Sequence, residues 1–494
     1  MIYYVYLLCM FFYHRHLKAK HPDNYKQYLE CKSTSLVSQP GISSFFQKQD
    51  ASYSSNNPRQ RMLSKSVVEN LIVGCGLPVS IVENEHFRNF MSDVDSKYVV
   101  PCRKTVTTSH LTQLLKVKQE SVKHAVCAAG DVALTVDIWS DRRQHSFIAI
   151  TARIFEKSVG SKSLLICFKS FKGTHTGQSI ADVIEKVIDD YSLRAKVHFM
   201  VTDNASNMKK AACFLFPVSD TPDENQLLID DFTALDDPDL YEDIAIDDLG
   251  VTCLDGERLP CFAHSLQLTV RDGLEMVQSS RGALAKCSKL ANLIHQSCKF
   301  KESFEKIFGK DRSLPVTNDT RWNSFYSHLA AIVKLDQDLL SQLCREENQT
   351  NLILTVRELQ QLKELVEILE PFADSTDIAQ GDDYVTISNV VPIIVSLNQK
   401  LEAWSSSVQF QRPVVKELHR SLYERFRGIF DQLDMSVPSG VVLTTKSSSK
   451  DLQFTSDVWI TSCVIDPRHG YKWIPNCKHT VAEREALKRK IFGT

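Results

Sequence analysis

The sequence has almost no net charge, −2 over 494 residues, so bulk charge names no partner. No apolar stretch approaches the roughly 20 residues of a membrane-crossing helix. The run Met1–Tyr13 is thirteen residues long. It has the look of a signal h-region but lacks a positive flank before it and a small-residue cleavage site after it, which argues against secretion. Regular cysteine spacing is missing as well. The fourteen cysteines are scattered, which excludes a disulfide framework and reads as reduced intracellular thiols. What is present is local. Residues 14–32 carry five Lys/Arg against two acids, while residues 217–250 carry twelve acids and no Lys/Arg. The first composition suits a phosphate-facing segment and the second a solvated insertion loop.

Two stretches carry the chemistry. Val197-His-Phe-Met-Val-Thr-Asp203 is a short apolar run ending in a carboxylate, and Val132-Ala-Leu-Thr-Val-Asp137 repeats the logic. Both read as buried strands that deliver Asp to their C-terminal ends, where α/β sheets place their sites. Two such carboxylates can converge on a divalent metal, Mg2+ or Mn2+. Asp at strand ends is nevertheless common, and two-metal phosphoryl transfer needs a third acidic ligand.

Around these stretches the pattern predicts strands over residues 133–138, 147–155 and 164–171, then a helix over 178–191. Ile180, Val183, Ile184, Val187 and Ile188 share one face of that helix. A strand over 197–202 and a helix over 204–216 follow. The order β-β-β-α-β-α, with Asp on the first and fourth strands, is that of an RNase H-like domain. Upstream, 33–64 is a Ser/Gln/Asn-rich linker with Phe45-Phe46 as a short docking element. Residues 65–130 form a helical domain, with Leu111, Leu114, Leu115, Val122 and Val126 inside and Lys104, Lys116, Lys118 and Lys123 outside. Downstream the pattern is mostly helical, its best case being 352–370, stopped by Pro371. Val458–Ile465 reads as a strand.

Other motifs are weaker. Cys261-x-x-His264 lacks a second pair, so a core thiol and a hydrogen-bonded imidazole fit it better than zinc. Trp322 beside Arg321 suits stacking on an unpaired base, although a Trp in a helical domain is usually packed inside it. His16 and His21 suit the second half of a zinc finger equally with an exposed basic helix end closed by Pro22.

Taken in order, "HLKAKHPDNY", "PVSIVENEHFRNFM", "VPCRKTVT", "LTVDIWSD", "VTDNASNM", "CFAHSLQL", "TRWNSFYSHL", "LEPFADSTDIAQGDDYVTISNVVPII" and "VIDPRHGYKW" give the chain its character. It resembles the hAT-superfamily transposases, in particular the domesticated zinc-finger BED-domain proteins, over about residues 14–475. The resemblance implies an RNase H-like core interrupted by an all-α insertion domain and preceded by a helical domain and a degenerate BED-finger remnant. The implied divisions are 1–32 (apolar run and finger remnant), 33–64 (linker), 65–130 (helical DNA-binding or dimer domain) and 131–274 (core, acidic loop 217–250). The insertion domain then spans 275–435, and 436–494 starts a returning core segment. Asp137 and Asp203 match the family's first two catalytic acids, Cys261 and His264 its C-x-x-H element, and Arg321 and Trp322 its Arg-Trp element. His16 and His21 match the last two Zn2+ ligands of the finger.

The family's third catalytic Glu, its C-terminal dimerisation region and the finger's Cys pair find no counterpart in the sequence. The expectation is therefore a chain clipped at both ends, poorly soluble and weakly dimeric. It is expected to act as a nuclear, double-stranded-DNA-binding, transcription-regulating protein that is non-catalytic in this form, without a membrane role. The alternatives are an active cut-and-paste transposase and an interaction scaffold without DNA affinity.

Overall fold

Alternating burial builds the sheet. Val132, Leu134 and Val136 turn inward while Thr135 and Asp137 turn outward, as period-2 backbone geometry requires. The computed structural model describes residues 22–23, 25–26, 52–156, 160–173, 175–216, 254–310, 314–315, 322–381, 384–438, 452–477 and 480–492. The apolar run Met1–Tyr13, His16, His21, Phe45-Phe46, the acidic loop 217–250 and Arg321 lie outside the described residues. The chain forms two compact units, Met1–Lys118 and Gln119–Thr494.

The first unit is helical. α1 (Pro58–Ser66) opens with Pro at its first turn and an Asn57 side chain accepting from Arg59 N at 2.8 Å. A π-helical segment (Val67–Val73) and α2 (Glu85–Val94) follow. Val67, Val68, Ile72, Val82, Met91 and Val106 form its core. α3 (Leu111–Ala128) is the long helix the periodicity predicts, but Leu115 is 57% exposed rather than inside. It sits 100° round from Leu114, outside the stripe that Leu111 and Leu114 present.

The second unit contains β1 (Val132–Ser140), β2 (Ser146–Glu156), β3 (Gly160–Ser170), α4 (Gly177–Asp190), β4 (Val197–Thr202) and α5 (Ser206–Leu215). These elements match the expected strands and helices within a few residues. The sheet order is β3-β2-β1-β4-β5, antiparallel among β1–β3 and parallel from β1 to β4 to β5. The fifth strand, β5 (Glu257–Pro260), was not expected. Its approach requires Gly256, where an added Cβ would lie 2.8 Å from the Val197 and His198 carbonyl oxygens. α4 and α5 cover one face of the sheet through Ile180, Ile184, Ile188, Met208 and Leu215.

Helices fill the rest: α6 (Phe262–Glu275), α7 (Arg281–Gln296), α8 (Cys298–Phe308), α9 (Trp322–Val333), α10 (Gln337–Glu346), α11 (Val356–Ala379), α12 (Val390–Ser407), α13 (Arg412–Arg425) and α14 (Arg427–Gln432). One apolar cluster joins them to β5 and to the other face of β4, through Leu259, Phe262, Phe199 and Val201.

Two expectations are corrected here. α11 does not stop at Pro371 but runs through it to Ala379. An interior Pro costs about 3 kcal/mol. Full burial of Ile368, Leu369 and Phe372 around it offsets that cost. Val458–Ile465 is a helix, α15, not a strand. Trp459, Ile460 and Cys463 are its buried residues, and a short apolar run does not reveal its own period.

Asp466, just after α15, ties the returning segment to the start of α12. Its carboxylate accepts from Ser388 Oγ (2.6 Å) and Arg468 Nη2 (2.6 Å), and His469 Nε2 lies 2.7 Å from Asn389 Oδ1. The Arg468 guanidinium, followed by the Ser388 hydroxyl, holds Asp466 far below the usual carboxylate range.

Candidate active-site carboxylate pair

The parallel pairing of β1 and β4 sets the site. Val136 is registered with Thr202, so Asp137 and Asp203 stand one residue beyond the last registered pair on adjacent strands. Asp137 keeps a path to solvent, and Asp203 is half-buried. Packed atoms beside Asp137 withdraw water from it, and the Asp203 charge adds repulsion. Together these raise its pKa, opposed in part by the Ile138 amide and the His264 imidazole.

The supports of Asp203 are specific. Its Oδ1 accepts from Ala205 N at 3.1 Å, turning the chain into α5. Its carbonyl accepts from Thr202 Oγ1 at 2.8 Å and from Arg258 Nη2. Arg258 also donates through Nε to Thr202 Oγ1 (2.8 Å) and through Nη2 to Asn204 Oδ1 (2.8 Å). Burial lowers the Arg258 pKa, and Asp203 opposes that shift. Asn204 donates in turn to Ser265 Oγ (3.1 Å) and to Gln453 Oε1 (2.9 Å), so α6 and the returning segment both brace the turn.

Cys261 begins α6 and donates its amide to Thr202 O at 2.8 Å, continuing the parallel ladder. Burial pushes its thiol pKa up, and the thiol feels both aspartates. The structure thus brings Asp137, Asp203, Cys261 and His264 to one sheet edge. Trp322 lies elsewhere, 9% exposed in the helical cluster beside Tyr326, with no hydrogen-bond partner for its indole Nε1 among the described residues.

Sequence reasoning missed Arg258, Asn204 and Gln453. Only the existence of β5 shows that Arg258 reaches under the Asp203 turn, and a four-residue strand ending in Pro carries no alternation to find.

Among the described residues no group of three His, Cys, Asp or Glu side chains is arranged to hold a metal ion. The two like charges on neighbouring strands do fit one hard cation with its remaining positions open to water or phosphate oxygen. Nor is any described helix long and apolar enough to cross a membrane.

Comparison with known proteins agrees with this arrangement. The family model described as the ZBED1 RNase-like domain matches residues 135–218, and the ZBED1 RNase-like helical domain matches residues 259–368. The first spans β1 to α5, and the second runs from the end of β5 into α11. Among full-length relatives, "Putative transcriptional regulator tpeD" of Talaromyces stipitatus is 25% identical over 356 residues, 66% of this chain and 39% of that protein. "Putative AC transposase" of Zea mays is 21% identical over 366 residues, 71% of this chain and 40% of the relative. Human "Zinc finger BED domain-containing protein 4" is 21% identical over 418 residues, 78% of this chain and 31% of the relative. The chain therefore spans 31–40% of the length of these curated relatives. With both RNase-like domains matched in order and the two aspartates side by side on β1 and β4, these likenesses support a hAT-type domesticated transposase.

Proposed function

We propose that this protein is a nuclear, double-stranded-DNA-binding regulator of transposase descent that does not itself cut or join strands. The observation that supports the reading is the carboxylate pair, Asp137 and Asp203, side by side on β1 and β4 in a chain similar to a putative transcriptional regulator and to transposases. The pair would hold one Mg2+ or Mn2+, which would supply charge neutralisation for a phosphate. Strand transfer asks for both ions to be held. The residues of this chain position that edge: Arg258 and Asn204 fix the Asp203 turn, and His264 offsets part of the charge on Asp137.

DNA contact in this reading falls to the basic N-terminal segment and to the helical region. There Lys104, Lys116, Lys118 and Lys123 are exposed and form no ion pair among the described residues. Zn2+ would belong to an intact finger of which His16 and His21 are two ligands, and self-association is weak.

The test is binding of duplex DNA against salt concentration, paired with a metal-dependent cleavage assay. Log affinity should fall linearly with log salt, with a slope set by the phosphates contacted, and no cleaved strand should appear. Absence of salt-dependent binding favours the scaffold alternative. Strand cleavage that vanishes in Asp137→Asn restores the active-transposase alternative.

A further inference from the structure

The sheet face that bears Asp137 also bears an aromatic ladder. Trp139 lies two residues beyond Asp137 on β1, so both side chains leave the same side of the sheet. Trp139 is registered with Phe147 on β2, and Phe168 on β3 stands opposite Ala149, the β2 partner of Asp137. The three rings touch in sequence. Trp139 to Phe147 is 6.0 Å between centroids, Phe147 to Phe168 is 5.7 Å with the planes 2° apart, and Trp139 to Phe168 is 5.9 Å.

This ladder is not core. Trp139 is 40% exposed and Phe168 57% exposed. A contiguous aromatic surface left in water marks a place where something binds. The surrounding charges say what. The β1–β2 hairpin contributes Arg142 and Arg143, both exposed. Neither forms an ion pair among the described residues. The nearby acid Asp141 is already engaged, its Oδ1 accepting from the Arg143 and His145 amides at 2.8 Å each and its Oδ2 lying 3.1 Å from His145 Nδ1. Exposed rings with free cations at their rim are what unpaired nucleotides require: π-faces for the bases and positive charge for the backbone.

We infer that Trp139, Phe147 and Phe168 form a stacking platform for unpaired bases of DNA, with Arg142 and Arg143 receiving the adjoining phosphates. The inference rests on the DNA-binding reading above and adds the class of DNA: a duplex with a single-stranded extension. A strand stacked on Phe168 and Trp139 leads along the sheet directly toward Asp137.

The test compares the full chain on a blunt duplex and on the same duplex carrying an oligo-thymidine tail. The wild type should bind the tailed duplex more tightly. Trp139→Ala and Phe168→Ala should each weaken tailed binding by about tenfold and leave blunt binding within about twofold. Arg142→Gln combined with Arg143→Gln should lower the salt slope for the tailed duplex by about 1.4. Both rings are at the surface, so unchanged thermal melts are expected, and Phe168→Ala serves alone if Trp139→Ala does not fold.

Blunt and tailed duplexes bound equally, or ring variants indistinguishable from wild type on the tailed duplex, would overturn the platform while leaving duplex binding intact. No binding to either DNA would overturn the function reading and the platform together. A chain that self-associates through this face, made monomeric by Trp139→Ala with tailed binding unchanged, would assign the ladder to a second copy instead.

Discussion

One side of the five-stranded sheet is built in two ways. The cross-strand row Leu165, Thr151, Thr135, Val201 and Leu259 runs from β3 to β5 through registered pairs on a single face. At the β5 end Leu259 is 2% exposed under the helical cluster, whereas at the β3 end Leu165 is 55% exposed. Further along the open half the rings of Trp139 and Phe168 stand exposed, beside the hairpin cations Arg142 and Arg143. The covered half shows what this sheet does to stay folded, and the open half shows what it keeps for a partner.

The sharpest way to break the contrast is to empty the covered half. Leu259→Ala should cost about 2–5 kcal/mol, because its neighbours on the helical side close a space only partly when a buried leucine is truncated. Denaturant unfolding of the variant against wild type reads the difference. A loss below about 1 kcal/mol would mean that the helices do not seal this half.

Acid should also separate the halves. His419 is buried in α13, donates Nε2–H to Asn398 Oδ1 at 2.8 Å, and has its pKa lowered by burial to about 4. The unfolded chain protonates it near pH 6.5. Between those values the unfolded state binds more protons, so stability falls as pH drops from about 6.5 toward 4, by about 3 kcal/mol in full. In His419→Gln that fraction of the acid loss should disappear, measured as unfolding free energy at neutral pH and near pH 4.5. Equal pH slopes for variant and wild type would show that the imidazole is protonated without opening the helical side.

The next effect concerns the carboxylate pair, which sits at the seam of the two halves. Arg258→Ala removes the donor to Thr202 Oγ1 and Asn204 Oδ1, while the Asp203 carbonyl keeps the Thr202 hydroxyl. Unmet acceptors at a buried and a half-buried position should cost about 1–3 kcal/mol. The Asp203 turn should loosen with it, visible as faster amide exchange at Ala205. Unchanged exchange there would assign Arg258 to β5 alone.

How much of this could be read in advance depended on where the physics was local. β1, β4 and α4 announce themselves because each buries one periodic face, and Asp137 and Asp203 follow from their ends. β5 does not, since four residues closing on Pro260 have no period of their own and pair only because Gly256 admits them. Pro371 misled for a related reason. Its local cost is real, but the burial that outweighs it comes from residues distant in sequence. Trp139 and Phe168 are 29 positions apart and meet only through the β1–β2–β3 register, so no string of neighbours spells the ladder.

The smallest effect is the most pointed test of the contrast. Leu165 occupies the same cross-strand row as Leu259 and has the same side chain, so Leu165→Ala isolates the environment from the chemistry. With more than half of its surface already in water, little apolar area is lost on truncation. The stability change should stay within about 0.5 kcal/mol. Denaturant unfolding of Leu165→Ala beside Leu259→Ala reads both ends of the row in one experiment. Similar losses at the two ends would mean that the β3 side is sealed in solution, and the open half would then have no free surface to offer a nucleic acid.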